Sequence, residues 1–453
     1  MRICIFGKYP PIQGGVSTRT YWLAHRLARL GHSVHVVTNA KEATAPYRVL
    51  MRDEDWQRCQ TRYAHESVTV HWTEYDRREW HIPEGTPFVT KLASLGLELA
   101  RTEAIDVIFS YYVEPYGVAA HVVAQATGLP HVLRTAGSDA GRLWSLPQFA
   151  ALYSHIFKSA DAIICSPAVA PMMADIGVEP QRLAWNPDKH APLGDLFAPD
   201  GPSLDVAGLL TEVAQEGNDA FRNLLFGSYD PGLEYIGVYG KLGRAKGTRQ
   251  LVDAMKRLKG RGLRVGLLAM AHERPSTHDA FRTMVSASGL EDRVCQIPFL
   301  PHWRVPEFIR RCVALCSLEQ DFPIKFHDPV VAREILTCGG CLLGTSEVLG
   351  KLPQADRLID GRNCIAVADV NDVDDLARRL ASVVEDPAKS AEIRRRGRRY
   401  ALELEAHSTF PRRFESILND IVETGQLSPG NIRPGDSRHP LAAHSDVAAA
   451  AAN

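Results

Sequence analysis

The 453-residue sequence has no apolar run of about 18 residues or more, so it offers no transmembrane helix. It also has almost no net charge: 52 Lys and Arg stand against 53 Asp and Glu, a formal balance of −1. That excludes the broad field with which a protein gathers nucleic acid or an anionic membrane. Its nine cysteines follow no regular spacing, which argues against a disulfide framework and for free thiols in a reducing compartment. Cys338-Gly-Gly-Cys341 has CxxC spacing, but it lies between a helix end and an apolar strand, where a buried structural pair is expected over redox chemistry. No cluster has metal-ligand spacing, and no internal repeat is found beyond a two-fold α/β alternation. The chain opens directly on a strand, Met1-Arg-Ile-Cys-Ile-Phe6, without the apolar region of a signal peptide. A soluble, cytoplasmic protein is expected. Two phosphate motifs are missing as well. Lys246 precedes Gly247, which breaks the Walker A order, and Gly237-x-x-Gly240-x-x-Gly243 is not the G-x-G-x-x-G fingerprint.

What is present is an α/β chain long enough for two or three domains. Residues 2–6 read as a strand, 7–15 as a loop, 16–30 as an amphipathic helix ended by Gly31, and 33–38 as the next strand. The loop carries Gly14 and Gly15 between a strand end and a helix start, a place for phosphate or for a flexible turn. Residues 41–90 break the rhythm with charge and aromatics (Trp56, Trp72, Tyr75, Trp80), as an acceptor-lining excursion or as local packing. Alternation resumes with strands at 106–111, 131–134 and 161–165 and helices at 115–127 and 147–159. Tyr111, Tyr112 and Glu114 end one strand; Arg134, Gly137, Ser138 and Asp139 follow another. Together they form a polar edge, although each alone could serve as a cap.

Residues 189–231 show little periodicity, and the inter-domain region is placed across 183–234. A second series begins at Tyr235. An apolar strand runs into Gly240, Lys241, Gly243, Arg244, Lys246 and Gly247, and a helix follows from Thr248, a plausible N-cap. A basic glycine loop before a helix start is an anion site, or an ordinary strand–helix turn. Later strands are read at 264–270, 294–297, 313–317 and 341–344, and helices at 277–288, 304–311, 330–337, 372–384, 388–405 and 410–422. Pro329 near the start of the 330–337 helix leaves Val330 beside a second open helix N-terminus. Glu334, inside it, could accept from two ribose hydroxyls or stand solvated. From Gly425 the tail reads as disordered.

Four segments in order resemble the retaining, nucleotide-sugar-dependent glycosyltransferases of the GT-B fold, family four. They are Pro10-Pro11-Ile-Gln-Gly-Gly15, Gly240-Lys-Leu-Gly-Arg-Ala-Lys-Gly247, Asn186-Pro-Asp188 and Arg333-Glu-Ile-Leu-Thr-Cys-Gly339. The resemblance implies two Rossmann-like domains facing each other across a cleft. The first, for the acceptor, covers 1–182 with 406–424 crossing back; the second, for the nucleotide sugar, covers 235–405; and 425–453 is the tail. It implies Lys241 and Lys246 on the diphosphate, Glu334 on the ribose, Gly14 and Gly15 approaching the phosphates, and Leu300 and His302 near the base. Phe326, His327, Asp328, Pro329 and Val330 would line the donor sugar, and Asp139 would join the two lysines in the catalytic set. Tyr111, Tyr112, Glu114, Arg134, Gly137 and Ser138 would meet the acceptor. No cofactor is implied beyond a UDP- or GDP-sugar as co-substrate.

The sequence departs from the pattern in four places, the first being Asn186-Pro-Asp188, one residue short of the family's domain-linking N-x-x-D. Lys241 replaces an arginine, which keeps the charge and loses the bidentate fork. Phe326 stands where the first glutamate of E-x7-E is expected, and Gly137-Ser138-Asp139 replaces a histidine-containing H-D pair. A nucleotide-sugar 2-epimerase and a non-catalytic partner protein of the same fold are the alternatives. Arg19, Arg26 and Arg29 on the 16–30 helix leave peripheral membrane contact open.

Overall fold

In the computed structural model the residues described are 1–63, 66–75, 87–136, 139, 143–167, 169–184, 192–215, 219–271, 275–323 and 329–432. Among them, the strands form two separate sheets. The first holds β1 (Arg2–Gly7), β2 (Ser33–Thr38), β3 (Thr61–Tyr63), β4 (Glu66–Trp72), β5 (Val107–Tyr111), β6 (His131–Arg134), β7 (Ala162–Ile164) and β8 (Leu183–Ala184), in the order β3-β4-β2-β1-β5-β6-β7-β8. Every pairing is parallel except β3 with β4. Alternation along β1 sends Ile3 and Ile5 to one core and Cys4 and Phe6 to the other, as a strand covered on both faces requires.

The second sheet holds β9 (Phe226–Gly227), β10 (Glu234–Gly240), β11 (Val265–Ala271), β12 (Val294–Ile297), β13 (Ala314–Ser317), β14 (Leu342–Thr345) and β15 (Ile365–Val367), in the order β15-β14-β13-β10-β11-β12-β9. Only β9 runs antiparallel, against β12. In both sheets the strand order reverses beside the first parallel strand, between β1 and β5 and between β10 and β13. Crevices at the carboxyl ends of such switch points are where open α/β sheets bind ligands.

Several stretches fold more than their sequence suggests. Residues 206–215, read as aperiodic, form the helix Val206–Gln215, whose Val206, Leu209 and Val213 are buried. With Leu193, Phe197, Phe221 and Leu233 they enter the same core as Tyr235 and Tyr239 of β10. The helix Phe88–Thr102, not distinguished in the sequence, buries Leu92, Ala93, Gly96 and Leu99. Residues 425–432 are ordered rather than a loose tail. Asp420 accepts from Ser428 N–H at 2.7 Å and from Asn431 Nδ2 at 2.6 Å, and Ile432 forms an antiparallel bridge to Ala184 of edge strand β8. The helix Arg412–Thr424 lays Phe414, Ile417, Leu418 and Ile421 into the core of the first sheet. Cys338 and Cys341 fall in two different cores of the second sheet, both thiols pushed up to about 11 by burial. They are packing residues, not a redox pair.

The excursion after β2 does more than pack locally. Trp56 and Trp72 meet edge to face at 5.8 Å, while Leu50 enters the core of the second sheet and its N–H donates to Phe299 O at 2.6 Å. In exchange Trp303 enters the core of the first sheet, its indole N–H donating to Asp55 Oδ1 at 2.5 Å. Arg52 forms a bidentate pair with Glu212. Trp80 lies outside the described residues.

The helix Phe88–Thr102 approaches β1 closely enough that a Cβ on Gly96 would stand 2.3 Å from Phe6 Cζ. Gly96→Ala is therefore expected to destabilise the protein by about 1–3 kcal/mol in urea unfolding despite its gain in helix propensity.

Candidate functional site

The basic glycine loop is closed by its own hydrogen bonds. Gly240, Gly243 and Gly247 all have positive φ, and Lys246 N–H donates to Gly243 O at 3.1 Å. A Cβ on Gly247 would lie 2.7 Å from Leu318 Cβ and 2.8 Å from its carbonyl oxygen, so the position demands glycine twice over, by space and by φ of 64°. Thr248 is not the N-cap of Thr248–Gly260; Gly247 is, and the Thr248 hydroxyl instead accepts from Gly243 N–H at 2.9 Å. That bond folds the loop back and leaves the first helical N–H groups without a side-chain cap.

Lys241 and Lys246, expected as a pair, have different surroundings. Lys241 is exposed at the end of β10. Lys246 is ion-paired with Glu319, just beyond β13, and lies 4.3 Å over the Phe322 ring. Burial lowers its pKa, and Lys241 and Lys351 push the same way against Glu319. Arg244 is exposed, as a solvated charge would be. A third lysine, Lys8 at the end of β1, sits 5.0 Å over the Tyr112 ring. Burial lowers its pKa, and so does the charge of Lys241, while Asp139 raises it. Lys8 belongs to the first sheet and feels Lys241 of the second, so the two switch points share one positive field. The strand-end rule that selected Tyr111 and Arg134 also applies to Lys8, one residue past Gly7.

A cleft of about 420 Å³, including open solvent, is lined by residues of both sheets: Gly15, Arg19, Trp22 and Arg134 from the first, His302, Val330, Arg333 and Glu334 from the second. Two helices start at it, Gly15–Arg29 after Gly14 and Val330–Thr337 after Pro329. Neither has a side-chain cap or an acidic residue in its first turn. The outer helices Val373–Glu385 and Pro387–Glu405 are capped by Asp372 and Asp386. Open N–H groups at a helix start favour an anion.

Glu334 is not a solvated helix glutamate. It is 4% exposed, its Oε1 accepting from His302 Nε2 at 2.7 Å and its Oε2 from Tyr239 OH at 2.8 Å. Burial and the Glu334 charge raise the Tyr239 phenol well above its ordinary value, so it keeps its proton as a donor. His302 Nδ1 in turn accepts from Trp22 Nε1 at 2.9 Å. Leu300, expected near a base, is 1% exposed in the core of the second sheet and presents nothing to the cleft.

Several residues of the expected acceptor edge are interior. Asp139 is fully buried, and its Oδ2 accepts from Val113 N–H at 3.2 Å and Ala136 N–H at 3.0 Å. Asp139, expected in the catalytic set, thereby holds two strand-end loops together. Tyr111 is 1% exposed under the Arg134 guanidinium at 4.7 Å, and its hydroxyl accepts from Arg19 Nη1 at 3.1 Å. Burial raises its pKa, but Arg134 and Arg19 outweigh that and lower it. Arg134 also lies 4.9 Å over Phe414. Glu114 is half-buried; burial raises its pKa against a bond from Tyr153 OH. Gly137, Ser138, Asn186, Pro187, Asp188, Lys325, Phe326, His327 and Asp328 lie outside the described residues. Among the described residues, no group of three or more His, Cys, Asp or Glu could hold a metal ion, and no helix is long and apolar enough to cross a membrane.

Two family models match the sequence. One is described as Glycosyl transferase 4-like domain, over residues 14–188, and the other as Glycosyl transferases group 1, over residues 228–400. No curated protein matches it in sequence. Many solved structures are similar in fold, three of them as follows. Anabaena HepE in complex with UDP and glucose is 15% identical with a TM-score of 0.57, over 89% of this chain and 95% of that one. A glycosyltransferase from Rickettsia africae is 12% identical at 0.59, over 93% and 99%. A UDP-N-acetylglucosamine 2-epimerase is 12% identical at 0.51, over 92% and 95%. At these identities the likeness is one of fold, and it spans transferase and epimerase alike.

The lysines bind anions only while protonated, and Lys246 and Lys8 lose their protons below the ordinary lysine value of 10.5. Affinity for inorganic pyrophosphate is therefore expected to fall as pH rises through that lowered range. Lys246→Arg, which stays charged, should flatten the fall in a calorimetric pH series.

Proposed function

The chain belongs to the group 1 glycosyltransferases of GT-B fold, and from that premise we propose that it moves a sugar from a UDP- or GDP-sugar to a small-molecule or oligosaccharide acceptor with retention of anomeric configuration. One observation carries the assignment of the donor site: Lys8, Lys241 and Lys246 share one field at the two switch points, near a cleft onto which two uncapped helix starts open. HepE, seen with UDP and with UDP-glucose, favours UDP as the nucleotide.

In this reading the bond from the anomeric carbon to the diphosphate oxygen breaks and its electron pair stays on the diphosphate. The sugar gains oxocarbenium character. The acceptor oxygen joins the same face, and its proton passes to the departing phosphate oxygen. Negative charge grows on that oxygen in the transition state, so fixed cations and helix N–H groups aimed at it stabilise the transition state more than the ground state. Glu334 accepts from the ribose hydroxyls, and Gly15, open to solvent, allows the phosphates a close approach. The acceptor lies toward the first sheet, at the carboxyl ends of β5 and β6.

A mass-spectrometric screen of UDP- and GDP-sugars, with the product anomer read by proton NMR coupling, tests the proposal. Turnover of no donor, or inversion at the anomeric carbon, overturns the corresponding part. Lys241→Ala is the clean variant, because Lys241 is exposed and its loss leaves no buried charge behind. Its kcat is expected to fall about 10²–10³-fold with an unchanged melting temperature. Lys246→Ala is expected to lose activity and stability together, since it removes the ion pair to the Glu319 carboxylate, 5% exposed.

A further inference from the structure

We propose that Trp22 is a positioning residue of the nucleotide site: acting from the first sheet through His302, it sets the orientation of the Glu334 carboxylate. This rests on the reading of Glu334 as the acceptor for the ribose hydroxyls.

The protons along the chain are fixed by what each group can do. An indole N–H can only donate, so His302 Nδ1, 2.9 Å from Trp22 Nε1, holds its lone pair toward the indole. The imidazole proton then sits on Nε2, which donates to Glu334 Oε1 at 2.7 Å. Tyr239 OH donates to Oε2 at 2.8 Å. Both carboxylate oxygens are thereby pinned, and the plane of the group is set. Each oxygen keeps a further acceptor site, and Glu334 lines the cleft. A carboxylate held in one plane with two acceptor sites left is matched to a pair of vicinal hydroxyls.

Tyr239 and His302 come from the second sheet and its connections, Trp22 from the helix Gly15–Arg29 of the first. Without the indole N–H the carboxylate still selects the Nε2–H tautomer, but the ring loses its second anchor at Nδ1. The imidazole is then held less firmly, and Oε1 loses the fixed direction of its donor. Ribose recognition thus depends on contact between the two halves of the molecule.

Trp22→Phe removes the N–H and keeps a ring against Tyr21, whose centroid is 5.0 Å away. Calorimetry with UDP and with GDP, and with the 2′,3′-dideoxy analogue of whichever binds, reads the effect on the full chain. The variant is expected to bind the nucleotide about 3- to 10-fold more weakly, and the dideoxy analogue within about two-fold of the wild type. Equal losses for both ligands would mean that Trp22 acts on structure alone; no loss for either would mean that it does not act on the site. Each result overturns the proposal. His302→Gln, whose amide N–H can replace Nε2–H toward Glu334, is expected to keep more of the ribose dependence than His302→Ala, and equal behaviour of the two would also overturn it. If the wild type binds neither UDP nor GDP, the nucleotide reading fails first, and this inference with it.

Discussion

The exchange of apolar side chains between the two sheets is the constraint on which the site depends. A cleft between strand ends has a defined shape only if the sheets are held at a fixed separation. Leu50 of the first half is buried in the second core, and Trp303 of the second half in the first. Neither can leave without exposing a large apolar surface to water. The polar bonds beside them, from Leu50 N–H to Phe299 O and from Trp303 to Asp55, give direction to a contact that burial alone would leave sliding. Trp22 and His302 extend the same seam into the cleft.

Beside the cleft, positive charge stands against positive charge. Lys8 and Lys241 repel across the gap, and Lys246 is tied to Glu319 while burial weakens its hold on the proton. Such an arrangement is unfavourable when empty and is relieved by a polyanion, so part of the repulsion held in the fold becomes binding energy for a diphosphate. The aromatic faces under these cations, Tyr112 below Lys8 and Phe322 below Lys246, offset some desolvation without neutralising the charge that a ligand would meet.

The alternation of strands and helices was legible because both sheets are parallel and covered on both faces, so their strands are short apolar runs and their helices amphipathic. β6 and the helices Pro147–Ser159 and Val330–Thr337 occupy the residues their periodicity indicates. The helix Val206–Gln215 was obscured because its buried set, Val206, Leu209 and Val213, is sparse and flanked by Pro, Gly and Asp. In the site, the glycine loop was readable from local spacing. Three features were not. Asp139 is withdrawn into backbone bonding, which spacing does not reveal. Leu300 turns into a core. Trp22, one residue of an amphipathic helix, carries an N–H whose partner is 280 residues away. Periodicity reports which face a residue occupies; it does not report which polar atom on that face meets another element.

The ordered segment 425–432 bears on how these molecules coexist at high concentration. A strand such as β8, at the rim of a sheet, offers unpaired backbone groups on which a neighbour's strand could grow. Here Ile432 takes that place by bridging to Ala184, and at the opposite rim β3 turns back antiparallel on β4. In the second sheet the short antiparallel β9 does the same for β12. Among the described residues, three of the four rims therefore carry a short antiparallel partner, which leaves little edge on which another copy could pair.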